Sequence, residues 1–182
     1  MARLELQALR TTLGSFATGV TIVTCEIDGR VHGATVNSFT SVSLEPPLVL
    51  ACLSKRSKAC GYLRGSTFTV NILSADQQLH ALHFAGRPQG ALISAFEDGD
   101  FAPRIRGCVA YVSCLPWKAV DAGDHDLIIG EVADIEMADN AAGSQPLLFY
   151  RGAFWRLGSA SDSLAALADS CADLHLTSAL SW

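Results

Sequence analysis

The chain has 182 residues and a formal net charge of −5, and 49% of its residues are hydrophobic and 17% charged. That length suits one domain with a substantial core, and the composition excludes an intrinsically disordered chain. The chain has no extended run of Lys or Arg, no apolar stretch of membrane-spanning length and no apolar signal core near its start, so we expect a cytoplasmic protein without a nucleic-acid or membrane partner.

The first part of the chain changes from a helical pattern to strand patterns. Between Leu4 and Phe16 the apolar residues recur at near-helical spacing. Val20–Cys25 is then a β-branched run, Asp28-Gly29 is a typical hairpin turn pair, and Val31–Val36 is the returning strand. The sequence therefore predicts an N-terminal helix followed by a β-hairpin.

The middle and later parts of the chain predict more short strands and one further helix. Ser74 and Gln77 form a capping-box pattern for a helix that runs to about Phe84 and is closed by Gly86. The other strand-like runs are Leu48–Leu53, Phe68–Leu73, Cys108–Leu115, Leu127–Met137, Leu147–Tyr150 and Phe154–Leu157. About seven short strands with few helices favour a mainly β protein built as an antiparallel barrel.

The final segment, residues 159–182, has a different pattern from the predicted barrel domain, residues 1–158. Ser163 is placed to cap a helix that carries an apolar stripe, which would pack on the barrel or on a second subunit. The stripe consists of Leu164, Leu167, Ala168, Cys171 and Leu174.

The cysteines do not have the spacing of a metal site, and the histidine pair at helical spacing, His80 and His83, has no obvious third ligand. None of the six cysteines forms a CxxC pair, which argues against a zinc or thioredoxin-type site. Cys25, Cys52, Cys108 and Cys114 lie in apolar strand-like runs, so we expect them to be buried free thiols. We predict no metal site.

Two polar segments that follow predicted strands are candidates for ligand binding. Between Thr35 and Ser41 there are four hydroxyls and one amide, and the small residues Gly33 and Ala34 before them would let a flat ring approach the backbone. The segment 54–58 carries three cations that could neutralise a phosphate. Polar turns often have such compositions, so on composition alone a solvated polar turn is the preferred interpretation of both segments. The usual dinucleotide, phosphate-loop and serine-hydrolase motifs are absent.

Five sequence blocks carry a resemblance to a known family. They are ATGVTIVT (17–24), HGATVNSFTSVSLEPPLVLACLSKRS (32–57), FTVNILSADQ (68–77), GDHDLIIGEVADIE (123–136) and PLLFYRG (146–152). In this order they resemble the flavin reductase family that supplies reduced flavin to two-component monooxygenases. The resemblance covers about residues 10–158, and TVNSFTSVSLEPPLV is its most specific part. The stretch 87–104 departs from the family pattern, because apolar residues at 90–93 replace the charged residues common there.

The resemblance implies a split β-barrel, usually a homodimer, that binds FMN or FAD without a covalent link and uses NADH, sometimes NADPH, as hydride donor. It implies nicotinamide contacts at His125, Tyr150 and Arg151. The flavin contacts that it implies are Ala34, Thr35, Val36, Asn37, Ser38, Ser41, Cys52, Leu53, Ser54, Lys55, Ser57, Phe84 and Arg87.

These expectations lead to one preferred function and two alternatives. The preferred function is NAD(P)H-dependent reduction of free FMN or FAD for a separate monooxygenase. Hydride transfer runs between the two cofactors, so we predict no catalytic acid, base or triad. The first alternative is a split-barrel protein that binds flavin or haem without turnover, and the second is an interaction module that docks a partner through the tail helix.

Overall fold

The structure, a computed structural model, describes residues 5–89, 96–138 and 144–157. In these ranges the helices are α1 (Leu6–Leu13), α2 (Lys58–Leu63) and α3 (Gln78–Phe84). The strands are β1 (Thr18–Gly19), β2 (Thr21–Ile27), β3 (Arg30–Val36), β4 (Thr40–Leu44), β5 (Pro47–Ser54), β6 (Phe68–Ile72), β7 (Phe96–Glu97), β8 (Arg104–Ile105), β9 (Ala110–Ala122), β10 (His125–Met137), β11 (Leu147–Tyr150) and β12 (Ala153–Arg156). The protein is therefore mainly β with a few short helices, as the sequence predicts.

Seven strands form one antiparallel sheet in the order β3-β2-β6-β9-β10-β5-β4. Strands β3 and β4 are consecutive in the chain but lie at opposite ends of this order. If the sheet were flat, its end strands would be about 29 Å apart at ~4.8 Å per strand. The connection from Val36 to Thr40 spans at most about 14 Å. The sheet must therefore curl until its two ends approach each other, which produces a barrel with a split between β3 and β5.

The hairpin between β2 and β3 has the turn that the sequence predicts. Asp28 and Gly29 both have positive φ, at 51° and 72°. Two residues with positive φ form the tight turn whose twist matches that of the flanking strands. The turn fixes the register in which Val23 faces Ala34 and Thr21 faces Val36.

The barrel interior is filled by apolar side chains around Phe68, which is 1% exposed. A Cβ atom on Gly130 of β10 would collide with the Phe68 ring and lie 2.8 Å from Cys114 Cβ. The glycine therefore lets this ring pack directly against the backbone of β10. A second apolar cluster, which includes Ile22, lies beside α3 and β11.

Two elements differ from the sequence prediction because side chains and register shifts alter the backbone. Helix α3 begins at Gln78 rather than Ser74, because residues 74–77 form a turn in which the Ser74 N–H donates to the Gln77 side chain at 2.9 Å. Strand β9 runs past Leu115 to Ala122 despite Pro116. A register shift beside Gly130 places Pro116 at a bulge, where proline is tolerated in a sheet.

The remaining differences lie in the loop regions. The hydroxyl-rich segment after β3, whose composition predicts a loop, contains the strand β4. The predicted N-terminal helix is shorter, since α1 ends at Leu13 and Gly14 caps it. The predicted tail helix and residues 90–93 lie outside the described residues. Within the described ranges, no helix combines the length and apolar character needed to cross a bilayer.

Candidate active site

A cleft of about 560 Å³ lies at the split of the barrel. This volume is in the usual range for small-molecule sites. Its walls come from β3 and the residues after it, from the end of β5, from the C-terminal end of α3 and from the start of β10. The lining residues are Ala34, Thr35, Val36, Asn37, Ser38, Cys52, Leu53, Ser54, Arg56, Ser57, Phe84, Ala85, Gly86 and His125.

Two strand edges without a neighbouring strand face this cleft. In the described residues β3 pairs only with β2, so its outer edge has no partner strand. Strand β4 covers β5 only as far as Leu50, while β5 continues to Ser54. An unpaired strand edge presents backbone N–H and C=O groups. The cleft is thus bounded by backbone donors and acceptors that suit a flat ring with polar edges.

Ser38 connects the two edges. Its hydroxyl donates to the Cys52 carbonyl at 2.9 Å, and the Cys52 N–H donates back to Ser38 Oγ at 3.2 Å. Thr35 connects β3 to α3 in a similar way, since its hydroxyl donates to the Ala81 carbonyl at 2.6 Å. Both hydroxyl protons are therefore used in holding the walls of the cleft together, and neither is available as a donor to a ligand.

Helix α3 is held against β3 at a second point, Gly33. A Cβ atom there would lie only 2.9 Å from Phe84 Cδ1, so the absence of a side chain lets the Phe84 ring pack against the strand. The ring also makes an edge contact with Phe96 at a centroid distance of 6.0 Å. This packing of the Phe84 ring places Phe84, Ala85 and Gly86 on the cleft wall.

The turn after β5 supplies one cation to the cleft. Arg56 and Ser57 line it. The neighbouring Lys55 instead forms an ion pair with Asp121 and donates to the Gly123 carbonyl at 2.7 Å. The hydrogen bond from Lys55 holds the pKa of Asp121 below its ordinary value.

His125 lies at the other polar end of the cleft, at the start of β10. Its Nδ1 is 2.7 Å from Asp124 Oδ1. This hydrogen bond and the charge of the imidazole hold the pKa of Asp124 below its ordinary value. The carboxylate thus orients the ring and leaves Nε2 for another partner.

Behind this wall, Asp126 is a buried carboxylate that is 1% exposed. Arg64 donates to its Oδ2 from two nitrogens, at 2.9 and 2.5 Å, and the Cys60 thiol lies 3.2 Å from the same oxygen. Burial alone would raise the pKa of Asp126, but the hydrogen bonds from Cys60 and Arg64 and the positive charges of Arg64 and Lys55 hold it below its ordinary value.

Most of the site residues that the sequence predicts come together in this cleft. The ten predicted flavin residues that line it are Ala34, Thr35, Val36, Asn37, Ser38, Cys52, Leu53, Ser54, Ser57 and Phe84. Three others do not line it: Ser41 is paired with Val49 in the β4–β5 ladder, Lys55 is bonded to the β9–β10 turn, and Arg87 is exposed beyond α3.

Of the predicted nicotinamide residues, only His125 lines the cleft. Tyr150 ends β11, and Arg151 lies in the turn to β12, where its guanidinium is 5.2 Å from the centre of the Tyr150 ring. Arg151 lines a separate depression beside Arg10 of α1.

Arg56, Ala85 and Gly86 also line the cleft. The resemblance implies that segments 52–57 and 84–87 border the flavin, and these three residues lie in those segments although they are not among the individual predicted contacts. The cluster of three cations at 55–58 signalled a cation at this strand end. Which of the three faces the cleft depends on the direction in which the backbone turns after Ser54.

Comparison with known proteins identifies related sequences and structures. The family model described as a flavin reductase-like domain matches residues 13–158. An NADH-dependent flavin reductase of a Rhodococcus species is 41% identical over 150 residues, which cover 80% of this chain and 83% of the relative. The reductase component of 4-hydroxyphenylacetate 3-monooxygenase from Thermus thermophilus is 34% identical over 152 residues, which cover 83% of this chain and 96% of the relative.

A solved structure with bound ligands is also similar. It is the NADH:FAD oxidoreductase of Streptomyces globisporus in complex with NAD and FAD fragments. The TM-score is 0.78 at 35% identity, and the match covers 88% of this chain and all of that chain.

Proposed function

The chain belongs to the flavin reductase-like domain family, and we propose that it is an NADH-dependent reductase of free flavin whose product serves a separate monooxygenase. The reaction is NADH + H⁺ + oxidised flavin → NAD⁺ + reduced flavin, with FMN or FAD as the flavin and NADPH as the alternative donor. The observation that carries the proposal is the cleft at the split of the barrel, which joins two unpaired strand edges, one cation and one histidine in a single space.

The backbone at the split is proposed to hold the flavin ring. Hydride transfer from nicotinamide to flavin requires the two rings to stack at about 3–3.5 Å, and the cofactors themselves supply this chemistry. Ala34 allows the ring to approach the edge of β3, where unpaired N–H groups can stabilise the negative charge that develops on the flavin. The protein needs no catalytic acid or base for this step.

The polar ends of the cleft are proposed to hold the rest of the two substrates. Arg56 and Ser57 bind the flavin phosphate, since a guanidinium and a hydroxyl both donate hydrogen bonds to phosphate oxygens. His125 binds the nicotinamide side, with its ring oriented by Asp124. Among the described residues that line the cleft, Arg56 is the one cation at the phosphate end, and this limited charge is proposed to keep flavin binding weak enough for the reduced product to leave for the monooxygenase.

We also propose that the protein acts as a homodimer. Helix α1 has no buried residue, and Leu6, Leu13 and Phe16 are 74%, 64% and 78% exposed. Exposed apolar residues grouped in this way are typical of a protein contact surface, and a second copy of the chain is the proposed occupant. Light scattering that gave the mass of a single 19.3 kDa chain would contradict the dimer.

The domain boundary and the cellular location also remain proposals. The family match ends at residue 158, which supports a catalytic domain of residues 1–158 followed by a separate tail, 159–182. The five described cysteines, Cys25, Cys52, Cys60, Cys108 and Cys114, are free thiols. Free thiols fit the reducing cytoplasm.

The function is tested by mixing the purified protein with NADH and each flavin and following the near-ultraviolet absorbance of NADH. We expect the absorbance to fall only when free flavin is present. Initial rates with NADH or NADPH and with FMN or FAD identify the preferred pair. Flavin or haem binding without NADH oxidation would instead indicate a non-catalytic binding protein.

A further inference from the structure

Two turns that carry the polar ends of the cleft lie side by side. Strands β5 and β10 are antiparallel neighbours, and Ser54 faces His125 in their ladder. The turn after β5 leads to Arg56 and Ser57, and the turn before β10 leads to His125. The turn that carries the proposed phosphate end of the cleft is therefore in direct contact with the turn that carries the proposed nicotinamide end.

Lys55 makes three of those contacts. Its backbone N–H donates to the Asp124 carbonyl at 3.0 Å, and its ammonium binds the Asp121 carboxylate and the Gly123 carbonyl. The ammonium also lies 3.9 Å from Asp126 Oδ1, a buried oxygen that has no hydrogen-bond partner among the described residues. Lys55 thus binds one turn to the other instead of facing the cleft.

Asp126 extends the same connection to α2. The other carboxylate oxygen, Oδ2, accepts the hydrogen bonds from Arg64 and Cys60, both of which belong to the chain that directly follows Ser57. The carboxylate is therefore held by groups from both sides of the Arg56–Ser57 segment. Placing a charge in the interior is costly unless it is paired, and pairing often does no more than offset that cost. We therefore expect this cluster to add little to stability and mainly to fix the positions of the two turns.

We propose that Lys55 and Asp126 are positioning residues that fix the Arg56–Ser57 segment relative to His125, so that flavin binding and NADH binding depend on the same ionic cluster. This inference rests on the proposed function of the cleft. It assigns Lys55 a role different from direct phosphate binding, which is left to Arg56. A phosphate ligand and a positioning residue predict different changes in the KM for riboflavin, the flavin that lacks the phosphate.

The test compares Lys55→Met, Asp126→Asn and Arg56→Met in steady-state assays with NADH and either FMN or riboflavin. Lys55→Met and Asp126→Asn are expected to raise the KM values for FMN, riboflavin and NADH together, each by about three- to tenfold, the effect of one or two weakened hydrogen bonds. The ratio of the KM values for FMN and riboflavin stays as in the unmodified protein. Arg56→Met is the matched control, and it raises the KM for FMN while leaving the KM for riboflavin unchanged.

Two results would overturn the inference. If Lys55→Met raised the KM for FMN alone, Lys55 would be a phosphate ligand. If Lys55→Met and Asp126→Asn lowered the melting temperature and the active fraction but left every KM unchanged, the cluster would serve stability alone. Should Asp126→Asn fail to fold, Arg64→Met replaces it, because it removes the Arg64 donors to the same carboxylate from an exposed position.

The proposed function can be judged separately. The unmodified protein either oxidises NADH in the presence of flavin or does not. If it does not, fluorescence titration of the same variants with FMN and with riboflavin still compares the roles of Lys55 and Arg56. Equal loss of affinity for both flavins in Lys55→Met supports positioning, and loss for FMN alone contradicts it.

Discussion

Replacement of Gly33 by alanine should distort the cleft, although Gly33 is not one of its lining residues. The added Cβ would lie 2.9 and 3.0 Å from two atoms of the Phe84 ring and 3.4 Å from Ile22 Cγ2. Carbon atoms pack best at about 3.5–4.0 Å, so the ring must move by about 0.6–1.1 Å. Ile22 is fully buried and lies on the strand next to β3, which leaves the cleft as the open side into which Phe84 can move.

The expected loss of stability in Gly33→Ala follows from the overpacking. One extra methyl group in a close contact costs about 1–3 kcal/mol of folding free energy, or roughly 2–12 °C in melting temperature for a chain of this length. Because the displaced ring enters the cleft, the affinity for FMN should fall as well. Thermal unfolding and fluorescence titration with FMN measure the two effects on the same sample.

The chain provides a matched control and a rescue. Gly19 is also in a strand, and a Cβ there would have no neighbour within 4 Å. Gly19→Ala should therefore change neither the melting temperature nor FMN affinity appreciably. In the double variant Gly33→Ala/Phe84→Leu the smaller side chain should restore part of the stability lost by Gly33→Ala. If Gly33→Ala lowered the melting temperature but left FMN affinity unchanged, Phe84 would have moved away from the cleft and the reasoning would be refuted.

Three further predictions concern the cleft and the buried thiols. His125→Ala should raise the KM for NADH about fivefold, which corresponds to the loss of about 1 kcal/mol of binding free energy, with little change in flavin affinity. If steady-state kinetics showed a higher KM for flavin alone, the nicotinamide role of His125 would be contradicted. Ala34→Leu should weaken FMN binding and also lower the melting temperature, because Ala34 is buried in the barrel core. Fluorescence titration at a temperature where circular dichroism shows a folded variant measures the affinity, and unchanged affinity would mean that the ring lies elsewhere. Burial raises the pKa of Cys114 from 9.0 to about 12, and that of Cys60 to about 11. Unfolded thiols therefore ionise first, and urea unfolding should show stability falling as the pH rises above about 9; constant stability up to about pH 11 would refute this.

The sequence alone was sufficient for the features that depend on neighbouring residues. Asp28-Gly29 predicted the hairpin turn because positive φ angles at two successive positions favour these residue types. The apolar and β-branched runs predicted most strands of the sheet and an antiparallel barrel, while the split form of the barrel was implied by the family resemblance of the five blocks. Both the mainly β class and the family are confirmed, while the roles of the individual site residues remain predictions.

Some boundaries depended on contacts that local patterns do not contain. The hydroxyl-rich segment after β3 has the composition of a loop, yet Thr40–Leu44 forms a strand because the edge of β5 is available to pair with it. Pro116 would normally argue against a central strand, and only the bulge opposite Gly130 allows β9 to continue through it.

The site shows the same division between local pattern and tertiary structure. The sequence brought together hydroxyls, cations and a histidine as candidates, and most of them line one cleft. Only the tertiary structure decided that Arg56 faces the cleft while Lys55 binds the β9–β10 turn, and that the Ser38 hydroxyl bridges to Cys52. Adjacent cations in a turn are alike in composition. The direction of Lys55 is set by partners that lie 66 and 68 residues further along the chain, Asp121 and Gly123.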